Sequence, residues 1–231
     1  MHADLAPPRP DVDARQARLK QNDYVRVPAR LRPGFGELMV KEGSLTAKWN
    51  HELSDVQGIA VASDPKNGPL IAAVTGSGEE LMVKEGSLTT KWNHELSGVD
   101  DLAVASNPAN GPLIAAHFDG ELMVKEGSLT AKWDHELSDV DQIAVASDPR
   151  HGPLIAALTD RGEAMVKEGS LTANWNHEHD GAQQIAVASD AVNGPLIGIL
   201  NSDDQLLVKE RSLTANWNNE HNDVLIISLA G

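Results

Sequence analysis

Cysteine is absent from this 231-residue chain, which removes any disulfide framework or thiolate metal site and makes no demand on the redox state of its compartment. Aromatic residues supply only 3% of the sequence, five Trp, one Tyr and two Phe, so where the five Trp fall is unusually informative. No apolar run approaches the roughly 18 residues that a membrane-spanning helix needs. The start, Met1-His2-Ala3-Asp4-Leu5-Ala6-Pro7-Pro8, lacks the basic and then apolar pattern of a signal peptide, so we expect neither membrane insertion nor a leader. Positive charge is scarce as well: 19 Lys and Arg face 34 Asp and Glu, a net charge of −15 that excludes the basic stripe required by nucleic acid. No Ser-His-Asp order, phosphate-cradling loop or zinc-enzyme motif is present, so no enzyme and no cofactor is expected. What is there, 41% hydrophobic and 23% charged residues, suits one globular domain with a sizeable core.

The segment Leu38-Met39-Val40-Lys41-Glu42-Gly43-Ser44-Leu45-Thr46-Ala47-Lys48-Trp49 recurs four more times, placing Trp at 49, 92, 133, 175 and 217. The spacings are 43, 41, 42 and 42 residues, so the insertions are single residues that fall in loops. Each repeat carries four segments of strand length and none long enough for a periodic helix. The first is Ile59-Ala60-Val61-Ala62-Ser63, with copies at 102–106, 143–147 and 185–189, β-branched on one face and small on the other. Asp64-Pro65-Lys66-Asn67-Gly68 then predicts a hairpin turn into Pro69-Leu70-Ile71-Ala72-Ala73. A polar turn leads to Leu81-Met82-Val83-Lys84-Glu85, and Gly86-Ser87 is expected to turn the chain into a fourth strand, Leu88–Asn93, whose Leu88 and Trp92 pack on the neighbouring blade. Four-stranded antiparallel units joined from outer edge to inner strand make a β-propeller.

The ends of the repeat region complete this reading. Val224-Leu225-Ile226-Ile227-Ser228-Leu229 stands where a first strand belongs, while the first unit has third and fourth strands, 36–42 and 45–51, without a first. Tyr24 to Leu31 aligns with the second strand, Pro28 being out of place in it. We therefore expect an all-β fold: a five-bladed propeller of twenty strands over residues 23–231, closed by the C-terminal strand joining the N-terminal blade, which removes the open sheet edges. Residues 1–22, rich in Pro, Arg and Asp, match no repeat and are expected to be a flexible tail or linker.

Gln184-Ile185-Ala186-Val187-Ala188-Ser189-Asp190, followed by Gly194-Pro195-Leu196-Ile197-Gly198-Ile199-Leu200-Asn201-Ser202-Asp203-Asp204-Gln205-Leu206-Leu207-Val208-Lys209, resembles the tectonin repeat: an I-x-V-x-S-D strand, an apolar strand, an N-S-D turn and a Q-L-x-V strand with Trp near the blade edge. Over residues 24–231 the chain is thus similar to the tectonin and tachylectin-type propeller lectins. The resemblance implies binding of glycans, including cell-surface saccharides, an extracellular setting and a monomeric propeller. It carries a class and not a sugar specificity.

Five near-identical copies build five shallow sites more readily than one asymmetric catalytic constellation. The residues at issue are Trp49-Asn50-His51-Glu52, Trp92-Asn93-His94-Glu95, Trp133-Asp134-His135-Glu136 and Trp175-Asn176-His177-Glu178, and then Trp217, Asn218 and Glu220 with Asn219 replacing His. Amides, imidazole and carboxylate are the groups that read sugar hydroxyls, and Trp offers a stacking face. The same residues also suit a second role, Trp packing between blades and the polar groups bonding blade to blade. His177 and His179 have no third ligand beside them in sequence, so no metal site is expected. The repeated Lys-Glu pairs at 41–42, 84–85, 125–126, 167–168 and 209–210 are expected to supply cross-blade ion pairs. A multivalent lectin with up to five inter-blade sites is the leading functional reading. A protein-interaction scaffold, or an enzyme using the asymmetrically placed His117, His151, His179 and His221, are the alternatives.

Overall fold

The turn Asp64–Gly68 shows how this sequence makes its hairpins. The Asp64 carboxylate accepts the backbone N–H groups of Lys66 and Asn67 at 2.9 and 2.8 Å, folding the chain back on itself before Gly68. Gly68 sits at φ +79°, and a Cβ there would lie 2.5 Å from the carbonyl oxygen of Gly86, so only glycine fits. Asn107, Asp148 and Asp190 repeat the device in later copies.

A computed structural model describes residues 36–229. The tail expected over 1–22 and the strand expected over 24–31 lie outside the described residues. Those described form strands and turns with no helix. The first sheet joins β1 (Gly36–Val40), β2 (Asn50–Asp64), β3 (Gly68–Thr75), β4 (Glu80–Glu85) and β5 (Asn93–Leu96) in that order, all antiparallel. The second holds β6 (Asp101–Asn107), β7 (Gly111–Phe118), β8 (Glu121–Glu126) and β9 (Asp134–Leu137). The third holds β10 (Val140–Asp148), β11 (Gly152–Thr159), β12 (Ala164–Glu168) and β13 (Asn176–His179). The fourth holds β14 (Ala182–Asp190), β15 (Gly194–Asn201), β16 (Leu206–Glu210) and β17 (Asn218–His221). Successive first strands β2, β6, β10 and β14 pack side by side, an all-β arrangement consistent with a multi-bladed propeller.

The first sheet has five strands because β2 serves two repeats. Its start, Asn50–Leu53, pairs with β1 as the fourth strand of the first unit, and after Asp55, at φ +58°, it pairs with β3 as the first strand of the second unit. The second to fifth units then end at β5, β9, β13 and β17. Apolar clusters fill each joint: Ala103, Leu113, Ala115, Leu122 and Val124 of the third unit meet Ile143, Ile155 and Ala157 of the fourth, with Leu171 and Trp175 against them. The turn ends are joined too, Ser106 Oγ donating to Asp64 at 2.5 Å and Asn107 to Ser147 at 2.5 Å.

One strand differs from expectation. Ser87–Thr90 is a turn, closed by Thr90 N–H to the Ser87 carbonyl at 3.1 Å, and the fourth strand begins only at Asn93. The cause is Lys84, whose buried ammonium donates to the Leu88 carbonyl at 2.7 Å and curls the segment inward. Leu88 and Trp92 still pack in the joint with the first unit, in one cluster with Leu38, Val40 and Leu53 of the first unit and Val56 and Ile71 of the second.

Val224–Leu229 forms no strand pairing among the described residues, yet it lies against the fifth unit in the manner of a first strand. Ile227 N–H donates to Gln184 Oε1 at 3.2 Å, as Ile185 N–H does to Gln142 Oε1 at 2.7 Å one unit earlier. Leu229 rests on Gly198, where a Cβ would meet its Cδ1 at 3.2 Å. In the earlier joints the corresponding pairs are Val104 with Ala72, Val145 with Ala115 and Val187 with Ala156, so a larger residue in one partner is matched by a smaller one in the other. Gly198→Ala is therefore expected to destabilise the fold by about 1 kcal/mol through overpacking. Leu229→Val in the same chain should restore urea stability. Equal midpoints for the parent and Gly198→Ala would show that this segment is not seated there.

Candidate functional site: the joints between units

Each joint is built on a lysine that the strand pattern carries inward. In β8, Leu122, Val124 and Lys125 are buried, and Lys125 crosses into the joint with the preceding unit. There its ammonium donates to Glu95 Oε2 at 2.5 Å and to the Leu129 carbonyl at 2.6 Å, and stands 5.1 Å from the centre of the Trp133 ring. The two charged side chains are 2% and 7% exposed. Carboxylate, carbonyl and indole face together meet the needs of a buried cation. The same arrangement joins Lys84 to Glu52 and Trp92, Lys167 to Glu136 and Trp175, and Lys209 to Glu178 and Trp217.

In four of the five Lys-Glu pairs the Lys thus makes the expected ion pair between units, with the Glu of a Trp-Asn-His-Glu segment as partner, whereas Lys41 donates to the Leu45 carbonyl and has no such Glu among the described residues. The Glu beside the Lys behaves differently: burial pushes the carboxyls of Glu85, Glu126 and Glu168 above their ordinary values.

Within one quartet the four side chains do not converge. Glu95 faces the joint ahead, Trp92 faces the joint behind, and Asn93 and His94 point to solvent. A joint therefore brings together the Glu of one copy and the Trp of the next. Trp175 Nε1 donates to the Glu136 carbonyl at 2.9 Å and Trp217 Nε1 to that of Glu178 at 3.1 Å, while Trp92 Nε1 is buried without a partner among the described residues. Trp92, Trp133, Trp175 and Trp217 are half-buried, each set into an apolar cluster with one edge at the surface. Trp49, stacked on Lys41 at 4.6 Å, is 58% exposed. Asn50, Asn93, Asp134, Asn176 and Asn218 are exposed.

The exposed histidines gather partners that the sequence reading did not single out. The ring of His51 contacts Glu37, and Ser54 Oγ donates to the same carboxylate at 2.9 Å. His135 contacts Glu121, with Ser138 Oγ at 2.8 Å from it, and His94 lies 3.1 Å from Ser97 Oγ. The hydrogen bond from His51, then that from Ser54, holds the Glu37 carboxyl below its ordinary value, as His135 and Ser138 do for Glu121. In the fourth copy His177 Nε2 is 2.9 Å from Asp180, and with Glu163 these present three ligand-type atoms within 4.8 Å of one another. His179, its neighbour in sequence, turns the other way onto the Trp217 ring. In the fifth copy Gln205, Asn219 and Asn222 replace acid, imidazole and hydroxyl together, and Asn219 donates to Asn222 at 3.2 Å. The signal for these clusters is in the repeats: an acid at the start of the third strand in the first four copies and a hydroxyl or carboxylate three residues after the His of each. A register shift between third and fourth strands, as at Leu122/Met123, brings them together.

The four clusters are polar and exposed, each has its His bonded to a Ser or Asp three residues on, and each follows a Trp in sequence. They offer hydrogen-bond donors and acceptors without a buried nucleophile. No protein family matches this chain, and no curated protein matches it.

Proposed function

We propose that the chain is a multivalent carbohydrate-binding module of the tectonin-like type, a closed ring of five blades whose sites lie at the outer ends of the joints. The observation that carries this reading is the repetition, in four of the copies, of an exposed His bonded to the Ser or Asp three residues on, with a Glu joining it in the first and third. Hydrogen-bonding groups of both kinds at an aromatic edge are what sugar hydroxyls and sugar faces require. Glu52, Glu95, Glu136 and Glu178 serve this site indirectly, since their carboxylates hold the lysines on which the Trp rings rest; Asn93 and His94, with their counterparts, touch the ligand.

Ring closure is part of the proposal. Among the described residues, Lys41 and Trp49 of the first unit lack a Glu of the kind that Lys84, Lys125, Lys167 and Lys209 each have, and Glu220 of the fifth unit lacks a Lys. Ile59 and Val61 are 44% and 45% exposed, whereas Leu102, Ile143 and Ile185, the counterparts of Ile59, are buried against a preceding unit, and Val187, one counterpart of Val61, is buried too. The two ends thus carry the complementary halves of one more joint, with Val224–Leu229 as the first strand of the first blade.

A single shallow site is expected to be weak, with a dissociation constant on the order of 1 mM. Several on one ring raise attachment to a dense glycan surface by about 10²-fold or more. Glycan arrays should show retention of at least one saccharide class, reduced by His94→Ala and His135→Ala and unaffected by Asn219→Ala. Retention that ignores both His substitutions would place the sites elsewhere.

A further inference from the structure

At the turn end of the units, opposite departures from the repeat meet in one place. The hairpin turns read Lys66-Asn67, Ala109-Asn110, Arg150-His151 and Val192-Asn193. The residue after each Lys-Glu pair is Gly43, Gly86, Gly127 and Gly169, all at φ between +89° and +99°, and then Arg211 at +74°. A side chain at that backbone angle is strained, and strain held in an otherwise glycine position marks a side chain with a task. The turn itself keeps its shape, since Arg211 N–H donates to the Pro195 carbonyl at 2.8 Å as Gly169 does to Pro153 at 2.9 Å.

These departures converge on a single cleft. Arg150, His151, Val192, Asn193, Gly194 and Arg211 line a space of about 460 Å³ between the fourth and fifth units. Arg150 Nη1 is anchored on the Ala191 carbonyl at 3.3 Å, and the His151 ring lies against Gly194 with Nδ1 3.2 Å from Asp148. The acids close by are engaged. Asp148 accepts from Arg150 N–H, His151 N–H and Ser189, Asp190 from Val192 N–H and from both nitrogens of Asn193, and Glu210 stands 3.7 Å from Arg211 Nε. Glu168 is half-buried, its carboxyl pushed up by burial. Two guanidinium groups and an imidazole on one cleft are conspicuous in a chain of net charge −15.

We propose that this cleft is a binding site, one per chain, for an oxyanion: a carboxylate or sulfate group carried by a ligand. The joints between the second and third units and between the third and fourth carry Gly127 and Gly169 where this one carries Arg211. Guanidinium groups bind such planar or tetrahedral anions through paired N–H donors, and the space admits the sugar ring or chain that bears one. Within the functional reading above, the natural ligand class is an acidic saccharide, though the site rests on its own residues.

The test is titration calorimetry at constant ionic strength with glucuronate, sodium sulfate and, as the uncharged control, glucose. One site per chain is expected for glucuronate or sulfate. Arg211→Gly, which restores the residue of the other copies, and Arg150→Ala should each weaken it about 10-fold or more. Arg211→Gly should also unfold at an equal or higher temperature, since the strain is relieved. His94→Ala should leave this site intact, so its failure and that of the rim sites are separable. Binding of neither anion, retention of binding in both Arg variants, or a lower melting temperature for Arg211→Gly would each overturn the proposal.

Discussion

Lys125→Ala is expected to destabilise the protein by about 3–5 kcal/mol, measured as the loss of urea unfolding free energy, because it strands a carboxylate inside a joint. Glu95 is 7% exposed and has Lys125 as its cation, and the same ammonium also occupies the Leu129 carbonyl and the Trp133 face. Removing it leaves three groups unsatisfied at once. The magnitude comes from the stranded charge more than from the pair itself, so Lys125→Met combined with Glu95→Leu is expected to recover most of the loss. Lys132→Ala, on an exposed lysine of the same unit, should change stability by less than about 0.5 kcal/mol. A Lys125→Ala protein no less stable than the Lys132→Ala protein would show that the lysines do not hold the units together.

Lys41 and Glu220 are expected to be energetically coupled although they stand at opposite ends of the repeat region. If the ring closes, they form a fifth joint of the kind seen between Lys209 and Glu178. Lys41→Ala and Glu220→Ala should then each cost about 3 kcal/mol, and the double variant about as much as either alone, a coupling of about the same size as one single effect. The comparison must hold at dilutions where the protein is monomeric, since a head-to-tail dimer would couple the same residues in a concentration-dependent way. Additive effects, each within about 0.5 kcal/mol, would mean an open array.

Much of this architecture is legible in the sequence because the period is nearly constant and the turns carry strong chemistry. Asn67-Gly68 and its copies fix the first hairpin, and the small residues of the first strands, such as Ala62 and Ala103, mark a crowded face that is buried. The fourth strand was misplaced because alternation of Leu88, Thr90 and Trp92 looks extended, while a lysine three residues upstream of the turn decides the backbone by capping the Leu88 carbonyl. The candidate site was half legible. Trp, Asn, His and Glu stand out as a repeated quartet, but only the fold separates their directions: Glu95 goes to a lysine in the next unit, and His94 goes to solvent. The acids at the start of the third strands, Glu37 and Glu121 among them, are not visible as partners in sequence because their partners come from across a hairpin and through a register shift.

The number of ligands bound per chain tests the central claim most directly. Titration calorimetry with the saccharide retained on arrays should give four equivalent sites, falling to three in His94→Ala, with the fifth, all-amide copy silent. No saccharide binding, together with capture of one protein partner at one-to-one stoichiometry, would contradict the account and favour a scaffold in its place.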